Sequence, residues 1–190
     1  MEAQLAGLIE QPPADLERIT VTEAGAGDLV ATVDSRFGPL WVAWSRLGVT
    51  GLTPVFAVPT IDSFLEHHRR VSYEAPALPR SLESDITDAL SSGTAGGLSL
   101  DLRGVSEFQQ SVLESCSTIP IGQVRPYGWI AKSIDQPGAT RAVGTALGKN
   151  PIPLLIPCHR VVKSDGSVGN YAFGPEMKRD LLIHEGAIAL

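Results

Sequence analysis

Cysteine is nearly absent: Cys116 and Cys158 are the only two in 190 residues. Two thiols are too few for a disulfide framework, and they indicate a reducing, cytoplasmic setting in which thiols stay free. Neither they nor the four histidines (His67, His68, His159 and His184) fall at zinc-type spacing, so no metal and no cofactor is expected. No apolar run approaches the roughly 18 residues a membrane helix needs, so no membrane partner is expected. The stretch "MEAQLAGLIEQPPADLE" has no basic region ahead of an apolar core and does not read as a secretory signal. An excess of positive charge is missing too. The net charge is -6, the wrong sign for a chain that must neutralise phosphates. That deficit is local: residues 106–190 carry eight Lys/Arg against seven Asp/Glu, while the first 105 carry seven against fourteen. The second half therefore permits nucleic-acid binding, and the first half holds all the excess acid.

What is present is ordinary globular material, 43% hydrophobic and 19% charged, enough for one moderately large domain or two small ones. "LVATVDSRFGPLWVAWSRLGVTGLTPVFAV" alternates and is interrupted by turn signals at "RFGP" and "RLGV", which predicts strands joined by a hairpin. "TIDSFLEHHRR" predicts a short helix capped near Thr60 or Asp62, and "SLESDITDALSSG" another that ends at Gly93. A flexible Gly-rich connector, "SSGTAGGLSL", then leads into an extended "LSLDL". The division expected is 1–100, sheet-containing, and 101–190, mostly helical. In the second part "VSEFQQSVLESCSTIP" places Phe108, Val112, Leu113 and Cys116 on one helix face behind a Ser106 cap, so Cys116 reads as a small core residue. "YGWIAKSIDQPGATRAVGTALGKN" breaks into a helix around 127–134, a turn at 135–138 and a second helix from about 139 to 147. That is a helix-turn-helix arrangement. The second helix is small-sided, with Ala139, Thr140, Ala142, Gly144 and Ala146, and Arg141 as its only charge. Such a helix makes poor core but fits a groove about 6 Å wide, with one arginine to enter the base stack.

"NPIPLLIPCHRVV" then delivers Cys158 at the end of a short apolar run. A thiol is nucleophilic as thiolate, and an adjacent base or positive charge favours that form. His159 and Arg160 are candidates for those two effects, and Glu185 in "LLIHEGA" is the candidate to orient the histidine. On adjacency alone, a reactive thiol and a satisfied buried cysteine both account for Cys158.

Together, "FQQSVLESCSTIPIGQVRPYGWIA", "ATRAVGTALGKNPIPLLIPCHRVVKSDGSVGNY" and "KRDLLIHEGA" resemble the O6-alkylguanine-DNA alkyltransferases, also called methylated-DNA–protein-cysteine methyltransferases. The likeness is close over about 105–188. It extends weakly through "FGPLWVAWSRLGVTGL", which resembles the family's small ribonuclease-H-like sheet domain. The resemblance implies an α/β (α+β) chain: that sheet domain, then a helical domain with a winged-helix-like helix-turn-helix. It implies a monomer that binds double-stranded DNA carrying O6-alkylguanine, with O4-alkylthymine as a further substrate, flips the base and keeps the alkyl group irreversibly. Residue by residue, Cys158 is implied as alkyl acceptor, His159 as its base through a water, and Glu185 as the group holding His159. Tyr127 would rotate the target phosphate and donate to the guanine ring nitrogen. Arg141 would fill the vacated stack, with Thr140, Ala142, Gly144 and Arg125 also on the DNA side. Asn150 would be the hinge after the recognition helix. The backbone of Cys158 and Val161 would read the exocyclic amine, and Tyr171, Ala172 and Phe173 would line the base pocket.

Against that pattern "RPYGWIA" stands where "TYGEIA" is commoner, which changes the first motif helix at Pro126 and Trp129 and adds Arg125. Ala172 replaces a polar side chain beside the base oxygen, and Phe173 adds bulk at the pocket mouth, restricting large adducts. Two other readings belong to different classes. A non-catalytic sensor of alkylated DNA shares the architecture but lacks the cysteine, so Cys158 argues against it. A cysteine hydrolase using Cys158, His159 and Glu185 would need an oxyanion hole that no other motif indicates.

Overall fold

The period-two pattern of "DLVATV" and the continuous apolar run of "LWVAWS" dictate a sheet covered on both faces. In the computed structural model, which describes residues 16–68 and 70–189, that sheet follows a short helix, α1 (Leu16–Glu23). Most of the segment read as lacking a secretory signal, residues 1–15, lies outside the described residues, as does Arg69 at the end of the "TIDSFLEHHRR" helix. Strands β1 (Asp28–Val33), β2 (Leu40–Ser45) and β3 (Gly48–Pro54) run antiparallel in succession, and β4 (Ser72–Glu74) joins β1 in parallel. The order is β3-β2-β1-β4, a mixed four-stranded sheet. Helix α2 (Ile61–His68) crosses from β3 to β4 and covers one face, where Phe64 packs with Val30 and Ala43. Its cap is Thr60, whose hydroxyl accepts the Ser63 N–H at 3.2 Å; Asp62 sits in the first turn.

The other sheet face looks toward the rest of the chain. One cluster of buried side chains runs from Val33, Val42 and Leu52 through Ile86 and Leu90 of α3 (Arg80–Ser92) to Val112, Leu113 and Cys116 of α4 (Glu107–Ser117). It therefore crosses the expected division near residue 100. Extended "LSLDL" lies along β3: the Val49 N–H donates to Ser99 O and the Asp101 N–H to Val49 O, at 2.9 and 2.8 Å. The approach is close enough that a Cβ on Gly48 (φ 144°) would sit 2.3 Å from Ser99 O. Buried charge reinforces the seam. Asp28 accepts from Thr50, His68 and both Arg70 Nε and Nη2, while Asp101 accepts from Ser45 and Arg103. Burial raises the Asp28 carboxyl, but hydrogen bonds from His68, Arg70 and Thr50 outweigh it and leave the group below its ordinary value. At Asp101 the Arg103 hydrogen bonds dominate and hold it far below the carboxylate range.

Beyond α4, whose Ser106 hydroxyl caps the Gln109 N–H, come β5 (Arg125–Pro126), α5 (Tyr127–Ser133) and α6 (Thr140–Gly148). A 3-10 turn, Cys158–Arg160, follows, then β6 (Val161–Val162), parallel to β5, and α7 (Pro175–His184). This half is helical, with the helix-turn-helix in the expected place. Helix α6 departs from expectation in one respect. Its inner face, Val143, Ala146 and Leu147, is buried core, and only the outer face is bare. Small residues thin one side of the helix without depriving it of an apolar stripe.

Helix α3 ends at Gly93, which is left-handed (φ 67°) and whose carbonyl accepts from Arg160 at 2.6 Å. A Cβ there would meet Ile121 at 2.7 Å and the Arg160 guanidinium at 2.9 Å. Gly93→Ala is therefore expected to destabilise the fold by at least the backbone cost of about 1–2 kcal/mol. Urea unfolding checks this; an unchanged midpoint would show that the α3 end does not constrain Arg160.

Candidate active site

The apolar run Ile152 to Ile156 is buried along its length and carries the chain into the 3-10 turn that begins at Cys158. Asn150, just past α6, fixes this approach with three contacts. Its Oδ1 accepts the Ile152 N–H at 3.0 Å, and its Nδ2 donates to Ile156 O at 3.0 Å and to Cys158 Sγ at 3.2 Å. The expected hinge residue thus holds both the loop and the sulfur. The thiol is only 7% exposed, and that exposure opens on a cleft of ≈ 560 Å³. Helix α6 supplies one wall through Thr140, Arg141 and Gly144; Tyr127, Tyr171 and Ala172 supply much of the rest. Tyr127 opens α5, and its ring lies in ordinary van der Waals range of a Cβ placed on Gly144 of the facing helix.

Behind the sulfur the polar groups are buried and interlocked. His159 is 2% exposed and donates from Nε2 to Glu185 Oε1 at 2.9 Å. Glu185, at the C-cap of α7, also accepts from Arg160 Nε and Nη2, both at 2.8 Å. Burial alone would raise the Glu185 carboxyl, but the hydrogen bonds from His159 and Arg160 win and bring it from the ordinary 4.5 to about 2. Burial lowers His159 despite the partnering carboxylate, so the ring is neutral at physiological pH and carries its proton on Nε2. Its one acceptor lone pair, on Nδ1, is buried and meets no donor among the described residues. A buried base with a free lone pair one residue from a thiol is equipped to take that thiol's proton.

The thiol itself differs from the sequence expectation. Burial pushes Cys158 up rather than down, and the Asn150 hydrogen bond only partly offsets it. Arg160 does not serve the sulfur: its guanidinium is held by Glu185, Ile119 O at 2.7 Å and Gly93 O. The nearby cation is instead Lys178, fully buried, which donates to Val161 O at 2.6 Å and Asn170 O at 3.3 Å and lies 5.8 Å over the Tyr127 ring. Burial lowers its ammonium to about 8, against an opposing pull from Cys158. Sequence reasoning missed Lys178, although it shares the i, i+3, i+4 face of Leu181 and Leu182. Cys116 is wholly buried among apolar side chains, and burial raises it well above its ordinary value.

The other expected residues divide by place. Thr140, Arg141, Ala142 and Gly144 share the outer side of α6, with Arg141 exposed. One lone pair of Val161 O is taken by Lys178, and the Cys158 carbonyl accepts the Val161 N–H. Phe173 packs edge-on to Tyr171 (5.4 Å between centroids) and to Phe56 of the first half (6.3 Å). Arg125 stands apart from the cleft, bound to Gln123 and the Val124 carbonyl and lying 5.5 Å over Trp129.

Because Glu185 is depressed on folding, its stabilisation is fully present above pH 4.5 and is lost as pH falls toward 2. Glu185→Gln is expected to cost on the order of 3 kcal/mol at neutral pH by leaving Arg160 buried and unpaired. The gap to wild type should close in urea titrations run progressively below pH 4.5. A gap independent of pH would show that the carboxylate charge is not the source.

The chain is similar to proteins already known. A family model described as 6-O-methylguanine DNA methyltransferase, DNA binding domain, matches residues 107–187. A methylated-DNA–protein-cysteine methyltransferase of Mycolicibacterium paratuberculosis is 38% identical over 156 residues, 81% of this chain and 90% of that protein. One from Shigella flexneri is 40% identical over 129 residues, 65% of this chain and 74% of that protein. Among solved structures, Mycobacterium tuberculosis OGT in complex with DNA superposes with a TM-score of 0.66 at 36% identity, covering 85% of this chain and 93% of that one. With the mixed sheet followed by the helical DNA-binding part, and at this identity over most of its length, the chain belongs to the methylated-DNA–protein-cysteine methyltransferases, DNA-repair proteins that act on O6-methylguanine.

Proposed function

We propose that Cys158 is the alkyl acceptor, and that the His159–Glu185 pair beside it removes the thiol proton when a flipped base fills the cleft. The observation that carries this reading is the free, buried Nδ1 of a neutral His159 whose Nε2 is fixed on an ionised carboxylate. A raised thiol is a poor nucleophile at rest, so the proton must leave as the substrate arrives. His159 takes it through an intervening water. The thiolate attacks the alkyl carbon in line, the S–C bond forms, and the C–O6 bond breaks. The electron pair enters the guanine ring, and the proton lost by the thiol balances the one guanine regains. Tyr127, on the cleft wall, donates to the ring nitrogen and lowers the charge on the leaving group. Lys178 holds the Val161 carbonyl whose remaining lone pair, with the Cys158 carbonyl, faces the exocyclic amine.

The target atom lies inside a duplex, so the base must be extruded at an unstacking cost of a few kcal/mol. The bare outer face of α6 enters the minor groove, and exposed Arg141 takes the vacated place in the stack. Tyr171 and Ala172 line the base pocket, and the Phe173–Phe56 pair narrows its mouth against large adducts. The division at residue 100 separates the acidic sheet-bearing part from the part that meets DNA. A thioether is stable, so a monomer acts once, in the cytoplasm, on double-stranded DNA with O6-alkylguanine or O4-alkylthymine.

Peptide mapping after incubation with an O6-methylguanine duplex should place a single methyl group on Cys158. Cys158→Ala should remove no methyl from the DNA, and Cys116→Ala should transfer it normally. Methyl on another residue, or repair by Cys158→Ala, defeats the assignment. Arg141→Ala is expected to slow the duplex reaction roughly tenfold or more, since the stack is then left open; single-turnover rates decide this.

A further inference from the structure

A second cleft, of ≈ 630 Å³, lies beside the first. The two share Tyr127, Thr140 and Lys163, and the second adds Trp129, Lys132 and Asp165. Alkyl transfer to Cys158 makes no use of this second hollow. It is lined by the half-buried indole of Trp129, and the Arg125 guanidinium lies 5.5 Å over that ring. Arg125 is itself tied to Gln123 Oε1 and Val124 O at 2.6 and 2.9 Å, so it works as a support for the indole rather than as a free phosphate ligand. Lys132 and Lys163 are exposed, and neither ammonium has a hydrogen bond or ion pair among the described residues. One carboxylate, Asp165, opposes these two cations and accepts the backbone N–H and hydroxyl of Ser167.

An indole face takes any base, and a pair of exposed ammonium groups takes a phosphodiester; the combination selects nucleic acid without selecting sequence. A strand whose base enters the first cleft must cross the wall that both clefts share. We propose that the second cleft holds the nucleotide adjoining the flipped one on the damaged strand, with its base on Trp129 and its phosphate between Lys132 and Lys163. The inference rests on the proposed delivery of a flipped base to Cys158. It adds a stacking platform that compensates, on the strand itself, for the acidic balance of the rest of the chain.

The test uses the full chain and two alkyl donors: a duplex with O6-methylguanine, and the free base O6-methylguanine, which has no neighbouring nucleotide. The readout is the ratio of the two rates. Trp129→Ala should lower the duplex-to-free-base ratio roughly tenfold, within the range of one lost base stack. Trp129→Phe should restore most of the loss. Lys132→Gln, an exposed change that does not threaten folding, should reduce the log–log salt slope of duplex binding by about 1. Wild type should lose the same factor as Trp129→Ala when the lesion is moved to one strand end, so that the adjoining nucleotide on that side is missing. An unchanged ratio in Trp129→Ala, including the case where both rates fall together, overturns the inference, as does an unchanged slope in Lys132→Gln. Failure of the underlying reading would look different: wild type itself would leave the lesion duplex intact.

Discussion

The carboxylate of Glu185 is the point on which the site depends. It receives His159 on one side and the fork of Arg160 on the other, and Arg160 reaches on to Ile119 O after α4 and Gly93 O after α3. Three helix ends and the turn that carries the sulfur are thus tied to one buried ion pair. Two buried charges are costly unless every donor finds an acceptor, and here the guanidinium meets a carboxylate and two carbonyls. The same contacts set the tautomer of His159 and leave its Nδ1 lone pair free. Architecture and proton chemistry therefore rest on a single group, at the C-cap of the last helix, far in sequence from the sulfur it serves.

The state of the thiol follows from where that node places it. A cysteine kept as a permanent thiolate would be open to oxidation and to any small electrophile. Burial keeps Cys158 protonated, while Asn150 and the charge of Lys178 keep it short of the wholly inert condition of Cys116. For a protein that uses its sulfur once, a nucleophile that responds to its substrate is a coherent arrangement. The acid concentrated in the first half is partly internal: Asp28 and Asp101 serve Arg70, Arg103 and His68 at the seam with the sheet rather than facing solvent.

Local signals carried much of this into the sequence. Alternation gave the strands, the Ser106 and Gly93 signals gave helix ends, and the "IDQPG" turn separated α5 from α6 within a residue or two. The site was legible where one motif held several of its parts, as in Asn150, Cys158 and His159. It was illegible where the partner came from elsewhere in the chain. Arg160 looked like a neighbour to the thiol because it is near in sequence, yet a 3-10 turn sends its side chain toward α3 and α4. Lys178 drew no notice because lysine is usually exposed; only its spacing from Leu181 and Leu182 marks it as buried. The indole at Trp129 registered as a departure from a pattern, and its meaning depended on a second cleft that no linear motif describes.

The central claim is that one buried sulfur, prepared by His159 and Glu185, accepts one alkyl group and is not regenerated. The direct measurement counts methyl groups removed from a large excess of O6-methylguanine duplex, alongside titration of the remaining Cys158 thiol. The account requires removal to stop at one equivalent per protein molecule, with the Cys158 thiol disappearing in step. Continued removal beyond one equivalent, or a full plateau with Cys158 still titratable, would contradict it.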